Sequence, residues 1–314
     1  MSSSVRVIPI ECKFGPISAF AYYVDSPEPA LIDAGVNASA EQDIEPALAE
    51  HGIKIEDISW ILLTHGHVDH LGGAFAVWEK TGRRAKVVIP KKEARLLRDI
   101  NEHIVDYQAL QGRYIIDPII QEKHIRMLTS DIGGTIEPAL EVVEGDTVSL
   151  GGDISVKVIE TPGHSIGSVT FLLDGIAFAA DAVQMYGGAS GLPTIENPTL
   201  YRRSLHRLLE EVRPRQLYLG HPFRNRHGEI QSAQIKGEQV VAALQSSLNM
   251  EGKLAAILKQ HLASGVTKEH HHELYGPFGS IAEELGYRGD PRFLPCAFFV
   301  TINGYKEELR HIHQ

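Results

Sequence analysis

Thr64-His65-Gly66-His67-Val68-Asp69-His70-Leu71-Gly72-Gly73 places three imidazoles and a carboxylate within residues 65–70. The stretch follows the apolar run Trp60-Ile61-Leu62-Leu63, which reads as a buried strand reaching the edge of a sheet. Ala74 to Lys80 reads as the start of a helix, so the cluster sits on a strand-to-helix loop, where α/β proteins collect functional residues. Neutral imidazole and carboxylate are ligands for zinc and related divalent ions. On an extended loop His65 and His67, two apart, turn to one ion, while Asp69 and His70 point elsewhere, toward a second. With 16 His in the chain, a chance cluster stays open on this stretch alone.

Working outward, the same pattern repeats. His164 lies in Thr161-Pro162-Gly163-His164-Ser165 after the strand-like Ile154 to Ile159. Asp181 follows the apolar run Gly175 to Ala180, and His221 follows Gln216-Leu217-Tyr218-Leu219-Gly220. Four strand ends carrying His or Asp along one sheet edge make chance a poor explanation.

The series His65-x-His67-x-Asp69-His70, His164, Asp181 and His221, with Thr161-Pro162-Gly163-His164-Ser165-x-Gly167-Ser168 and Gly220-His221, resembles the metal-ligand pattern of the metallo-β-lactamase-fold hydrolases over roughly residues 5 to 222. The resemblance implies a four-layer αββα sandwich of two mixed sheets flanked by helices. It implies two divalent metal ions, zinc, with iron or manganese as alternatives. His65, His67 and His164 would hold one ion, Asp69, His70 and His221 the other, and Asp181 would bridge. Asp69 would double as the catalytic proton acceptor. Asp33, at the end of Ala30 to Gly35, would orient a ligand histidine; a strand-end Asp capping a turn is the equal alternative.

Composition sets the outer bounds. Hydrophobic content of 43% and charged content of 22% describe an ordinary soluble domain. A net charge of −10 without a basic block argues against a nucleic-acid partner, which needs a cationic track. Cys12 and Cys296 are too few for a disulfide framework. The first residues lack the apolar core of a signal peptide and no apolar run is long enough to span a membrane, so a cytoplasmic protein with no membrane partner is expected.

The expected organisation is a catalytic core over 1–229, with a helical insertion at about 91–135, and a C-terminal helical region over 230–314. Val5 to Phe14 and Ala19 to Val24 read as paired strands around Gly15-Pro16. Ser39-Ala40-Glu41-Gln42 reads as a capping box, and Asn197-Pro198 as a cap with proline at the first helical position. Glu229 to Leu248, Gly252 to Ala263, Ser280 to Leu285 and Phe293 to Leu309 read as helices. His103 and His124 fall outside the ligand pattern and read as packing or surface residues, and His206 reads as structural rather than metal-bound; His270-His271-His272 reads as a solvated helix end.

The one G-x-S-x-G spacing, Gly163-His164-Ser165-Ile166-Gly167, falls inside the His164 ligand motif and is not read as a Ser-His-Asp elbow, so a serine nucleophile is not required. The resemblance favours hydrolysis of a small-molecule thioester, ester or lactone by a hydroxide generated at the two metals, with a layout like glyoxalase II and the quinolone-pathway thioesterases. Met185, Tyr186 and Phe223 are the candidate substrate contacts, by adjacency to Asp181 and His221. Arg202, Arg203, Arg224 and Arg226 keep a phosphodiesterase or nuclease open, and a non-hydrolytic iron-binding member is the other alternative. Residues from about 230, with the insertion, are expected to roof the site and set substrate size.

Overall fold

The computed structural model describes residues 5–15, 17–111, 114, 117–188, 191–263, 273–291 and 297–312. Cys296, Phe293 and the His270-His271-His272 run lie outside the described residues.

Two six-stranded mixed sheets form the centre. The first runs β1 (Arg6–Phe14), β2 (Ile17–Asp25), β3 (Ala30–Ile32), β4 (Trp60–Leu62), β5 (Lys86–Pro90) and β6 (Leu140–Val142) in sequence order. β1, β2 and β3 pair antiparallel, and β3 to β6 pair parallel. The second contains β7 (Thr147–Ser149), β8 (Ser155–Glu160), β9 (Val169–Leu173), β10 (Ile176–Ala180), β11 (Gln216–Leu219) and β12 (Gln234–Lys236), with only the β10–β11 pair parallel.

Strand alternation creates the layers. Side chains on a strand point alternately to opposite faces, so each buried strand supplies two cores. Ala30, Ile32, Trp60, Leu62 and Val88 join Val156, Val158, Phe171, Phe178 and Tyr218 in one cluster between the sheets. Leu31, Ile61, Val87, Ile89, Ala177, Leu217 and Leu219, their sequence neighbours, join the outer cluster beneath the helices. The inter-sheet core carries Phe178 stacked on Tyr218, ring centroids 4.9 Å apart, and the Tyr22 hydroxyl donates to the Leu219 carbonyl. At the edge that bears the histidines the sheets are joined through the backbone, Phe20 N to Gly220 O at 2.7 Å and Val169 N to Thr64 O at 2.9 Å.

The helices are α1 (Glu45–Ala49), α2 (Val68–Leu71), α3 (Ala74–Lys80), α4 (Ala94–Arg98), α5 (Ile100–Gln111), α6 (Pro118–Ile132), α7 (Pro198–Arg207), α8 (Glu238–Ala263), α9 (Gly279–Leu285) and α10 (Ala297–Ile312). Three expectations are corrected. The Ser39 capping box does not form: Ser39 is itself helical in φ and ψ, and its hydroxyl accepts from Val36 N in the preceding turn. The segment 229–237 is not helical but holds β12, which completes the second sheet and carries the core past residue 229. The two helices expected over 229–248 and 252–263 are one, because Gly252 sits inside α8. The insertion is also interrupted, with Asp99 extended between α4 and α5. No described helix is long and apolar enough to cross a membrane.

Candidate metal centre

The organising stretch divides into two conformations. Thr64 to His67 leaves β4 as extended chain, with His67 at φ −69° and ψ 147°, and Val68–Leu71 closes one helical turn, α2. Extended residues two apart share a side, which brings His65 and His67 together; the helical turn sends Asp69 and His70 to the neighbouring position. His164 follows β8 and Asp181 follows β10, while His221 lies just beyond β11. Gly220 is required here: a Cβ would stand 1.9 Å from Asp181 Oδ1.

Two groups of donors result. His164 Nε2 lies 3.2 Å from His65 Nε2 and 2.8 Å from His67 Nδ1. His70 Nε2 lies 3.2 Å from His221 Nε2, and Asp69 Oδ2 lies 3.4 Å from the same atom. Asp181 stands between them, its Oδ2 3.3 Å from His164 Nε2 and 3.2 Å from His221 Nε2, its Oδ1 3.7 Å from His70 Nε2. The sets His65/His67/His164, His65/His70/Asp181 and Asp69/His70/His221 each bring their donor atoms within 4.8 Å of one another.

The far side of each ring fixes its tautomer. His70 Nδ1 donates to Asp33 Oδ2 (3.0 Å), His164 Nδ1 to the Thr194 carbonyl (2.9 Å) and His221 Nδ1 to the Ser18 carbonyl (2.7 Å). His65 Nδ1 faces Thr64 Oγ1 at 3.0 Å, and that hydroxyl is itself held by Asp33. Each Nε2 is then left with its lone pair aimed inward. His67 is reversed, its Nδ1 inward and its Nε2 3.8 Å from Glu196 Oε1.

Inward nitrogens at 2.8–3.2 Å repel unless a proton or a metal ion lies between them. Nitrogens bound at 2.0–2.1 Å to one tetrahedral ion stand about 3.3 Å apart, close to the spacing observed. Asp181 Oδ1 is buried without a hydrogen-bond partner, a cost that an ion would remove. The residues present fit two metal ions. Electrostatics agree: burial opposes the Asp181 charge, but His221, His164 and His70 hold its carboxyl well below the usual range. Burial drives His164 down to about 3. At His67 and His221 burial is outweighed, by Glu196 in the first case and Asp181 in the second, raising them to about 9 and about 10, so a proton on each of these rings takes the place that a bound ion would otherwise fill.

A cavity of about 610 Å³ opens over His67, Asp69, His164, Asp181 and His221. Ile17, Phe20, Leu192, Phe223, Ile230 and Ala297 give it an apolar wall. Phe223 therefore lies where adjacency to His221 had put it. Met185 and Tyr186 are not among the lining residues: Met185 is buried in the outer core at φ +47°, its N–H bound to Ser247 Oγ, and Tyr186 packs partly buried against that core. Gln184 and Leu192, beside them in sequence, line the cavity instead. Of the four arginines, Arg224 lines it; Arg202 is occupied by Glu251 and Glu308.

Sequence reading missed Glu93, which is buried under the first trio. Its Oε1 accepts from Ser165 Oγ (2.7 Å) and Gly167 N (2.8 Å), and its Oε2 from Gly66 N (3.0 Å). One carboxylate thus ties the His65–His67 loop to the His164 loop. The signal available was a pair of glycines, since a Cβ at Gly66 or Gly167 would lie within 2.6 Å of Glu93. His103 and His124 are buried packing residues, as expected, while His206 is exposed and pairs with Glu210.

The fold agrees with the family match: the model of the metallo-beta-lactamase superfamily covers residues 14–221, more than half the chain, and the chain belongs to this superfamily. Within it, the chain is 28% identical over 225 residues to a hydroxyacylglutathione hydrolase of Rhodopseudomonas palustris (strain BisB5), covering 71% of this chain and 68% of that protein. It is 29% identical over 194 residues to a hydroxyacylglutathione hydrolase of Chelativorans sp. (strain BNC1), covering 61% of this chain and 58% of the relative. A metallo-beta-lactamase family protein of Thermus thermophilus shares the fold with a TM-score of 0.68 at 22% identity, covering 98% of this chain and 94% of that one.

Proposed function

We propose that this chain is a dinuclear metal-dependent hydrolase acting on a small-molecule thioester, ester or lactone. One observation carries the reading: Asp181, its Oδ1 unpartnered, sits between two trios of inward-facing donors beneath a largely apolar cavity. His65, His67 and His164 would hold one ion, Asp69, His70 and His221 the other, and Asp181 both. Bound there, the ions would activate water near neutral pH and polarise the carbonyl under attack.

The chain's own residues supply the rest. Asp33, Thr194 and Ser18 orient His70, His164 and His221. Asp69, buried and facing the cavity, is placed to take the proton released on attack. Phe223, Phe20, Leu192 and Ile230 exclude water and receive the acyl group. The ester-type bond is supported by the hydroxyacylglutathione hydrolases among the relatives and by the wall itself. A phosphodiester would call for a cationic track, and among the described lining residues Arg224 is the only arginine or lysine, with the acidic Glu11 on the same wall. An elemental assay on protein purified without added metal, with thioester, ester, lactone and phosphodiester substrates, tests the proposal. Two metals per chain and turnover confined to acyl substrates are expected. Selective phosphodiester cleavage, or acyl turnover that survives complete chelation, would overturn it.

A further inference from the structure

Ala297, at the start of α10, lines the cavity, and the same helix reaches the site by a second route. Thr301 lies in α10 and is buried. A threonine hydroxyl inside a helix ordinarily bonds back to a carbonyl of its own preceding turn. This one bonds another segment: Thr301 Oγ1 donates to the Pro193 carbonyl (2.8 Å) and accepts from Ile195 N (3.1 Å). These groups bracket Thr194, whose carbonyl accepts from His164 Nδ1 (2.9 Å) and from Gln184 Nε2 (2.8 Å). Gln184 Oε1 in turn accepts from Thr194 N at 2.8 Å. The two peptide groups on either side of the Thr194 Cα, one of them carrying the carbonyl that aims His164, are therefore both held from α10.

The next residue of this segment reaches a second member of the trio. Glu196 Oε1 faces His67 Nε2 at 3.8 Å, its Oε2 accepts from Ile166 N at 3.0 Å, and its N–H reaches the His164 carbonyl at 3.3 Å. α10 lies against this backbone through Gly304: a Cβ there would stand 2.6 Å from the Glu196 carbonyl and 2.7 Å from that of Ile195. The other trio is oriented differently, His70 by Asp33 and His221 by Ser18, on the strand side of the molecule.

We infer that Thr301 is a positioning residue for the His65/His67/His164 trio, through which α10 sets the affinity of one of the two metal positions and not the other. The inference rests on the dinuclear reading above. Because the hydroxyl acts one residue removed from the ligand, its loss costs less than the 10–100-fold typical of a group bonded directly to a metal ligand; roughly three- to tenfold is expected.

The test uses the full chain and zinc. Competition with a chromogenic chelator resolves the two zinc affinities in wild type, Thr301→Val, Thr301→Ser and Tyr305→Phe. Val keeps the shape and removes both hydrogen bonds; Ser restores them. Tyr305, one turn along α10, donates to Glu251 Oε1 (2.6 Å) on α8, so its loss loosens α10 without reaching residues 193–196. The expected result is one zinc weakened three- to tenfold in Thr301→Val, both unchanged in Thr301→Ser and Tyr305→Phe. Equal weakening of both zincs, no weakening, or the same drop in Tyr305→Phe would overturn the inference. Thr301→Ala serves in place of Val should that variant not fold. Exchange of the His164 Nδ1–H, followed by NMR in metal-free protein, is expected to quicken in Thr301→Val and recover in Thr301→Ser. That second readout stands even if wild type binds no zinc, an outcome that would sink the dinuclear proposal and leave Thr301 to be judged by exchange alone; unchanged exchange would then refute it.

Discussion

Glu93 shows how one buried side chain can decide a site it never touches. Burial pushes its pKa up, and Ser165, His67 and the Gly167 N–H draw it only part of the way back. Both oxygens face backbone N–H groups, so a glutamine must turn its own NH₂ against either Gly66 or Gly167. Glu93→Gln is thus expected to behave like a deletion. Loss of one zinc from the first trio and a fall in kcat/KM of roughly 10–100-fold are expected; wild-type metal content in Glu93→Gln would refute this role. His103 offers a prediction on pH. Burial lowers it to about 4 while Nε2 donates to the Leu96 carbonyl. Its folded pKa lies below the unfolded value of 6.5, so the unfolded chain takes up the proton first. Stability from this residue is present above pH 6.5 and is lost as pH falls toward 4, by about 3 kcal/mol. His103→Leu is expected to flatten that part of the stability curve; parallel urea-derived profiles for wild type and variant from about pH 7.5 to 4 would count against it.

At the scale of the element, two N-caps make a useful contrast. Asn197 precedes Pro198 and accepts from Leu200 N at 3.0 Å, starting α7 where the local residues dictate. Asn197→Ala is expected to cost about 1 kcal/mol with an unchanged denaturant slope; no shift in the urea midpoint would show the cap to be idle. Ser39 has the right local spacing, yet its hydroxyl closes the Val36 turn and the first helical residues, Ala40–Ile44, form a π-helical turn. Gly35 is the reason: at φ +64° it brings the chain so close that a Cβ would lie 2.6 Å from Ser39 Oγ. Tertiary packing of that turn overrides the cap. The same holds for β12, where polar Gln234 and Lys236 read as helix surface but find a strand partner in β11.

For the whole molecule, metal and C-terminal helices both become part of stability. A ligand that binds only the folded state stabilises it by about 2.7 kcal/mol at one hundred times its Kd. Chelation is therefore expected to lower Tm, and His221→Ala to reduce bound metal from two ions to one. An unchanged Tm on chelation, or two ions retained in His221→Ala, would show the assignment to be wrong. The helices of 238–312 are held to the core by buried Leu244, Leu254, Leu258, Phe298 and Phe299, and by Arg202 of α7 pairing with Glu251 of α8 and Glu308 of α10. Removing residues 230–314 also removes β12 from the second sheet. That truncation is expected to give insoluble protein, measurable as loss of the soluble fraction on expression; a soluble, metal-binding fragment would show the core to be independent.

The candidate donors were legible in the sequence because they follow strands, at the end of a short apolar run or, for Asp69 and His70, in the helical turn just beyond it. The cluster over residues 65–70 and the apolar runs before His164, Asp181 and His221 marked the candidates, the resemblance joined them into one series, and the structure brings their donor atoms into three groups within 4.8 Å. Asp33 was legible for the same reason, though only the fold decided between capping a turn and orienting His70. What the sequence could not determine is what depends on approach between segments distant in the chain. Glu93, Thr194, Glu196 and Thr301 act through backbone groups brought together by packing, and no spacing records such a contact. Cavity walls follow the same logic: Phe223 faces the site and Met185 does not, because a left-handed turn after Asp181 directs Met185 into the core. Ligand identity is local chemistry written at strand ends, whereas ligand orientation and substrate shape belong to the tertiary structure.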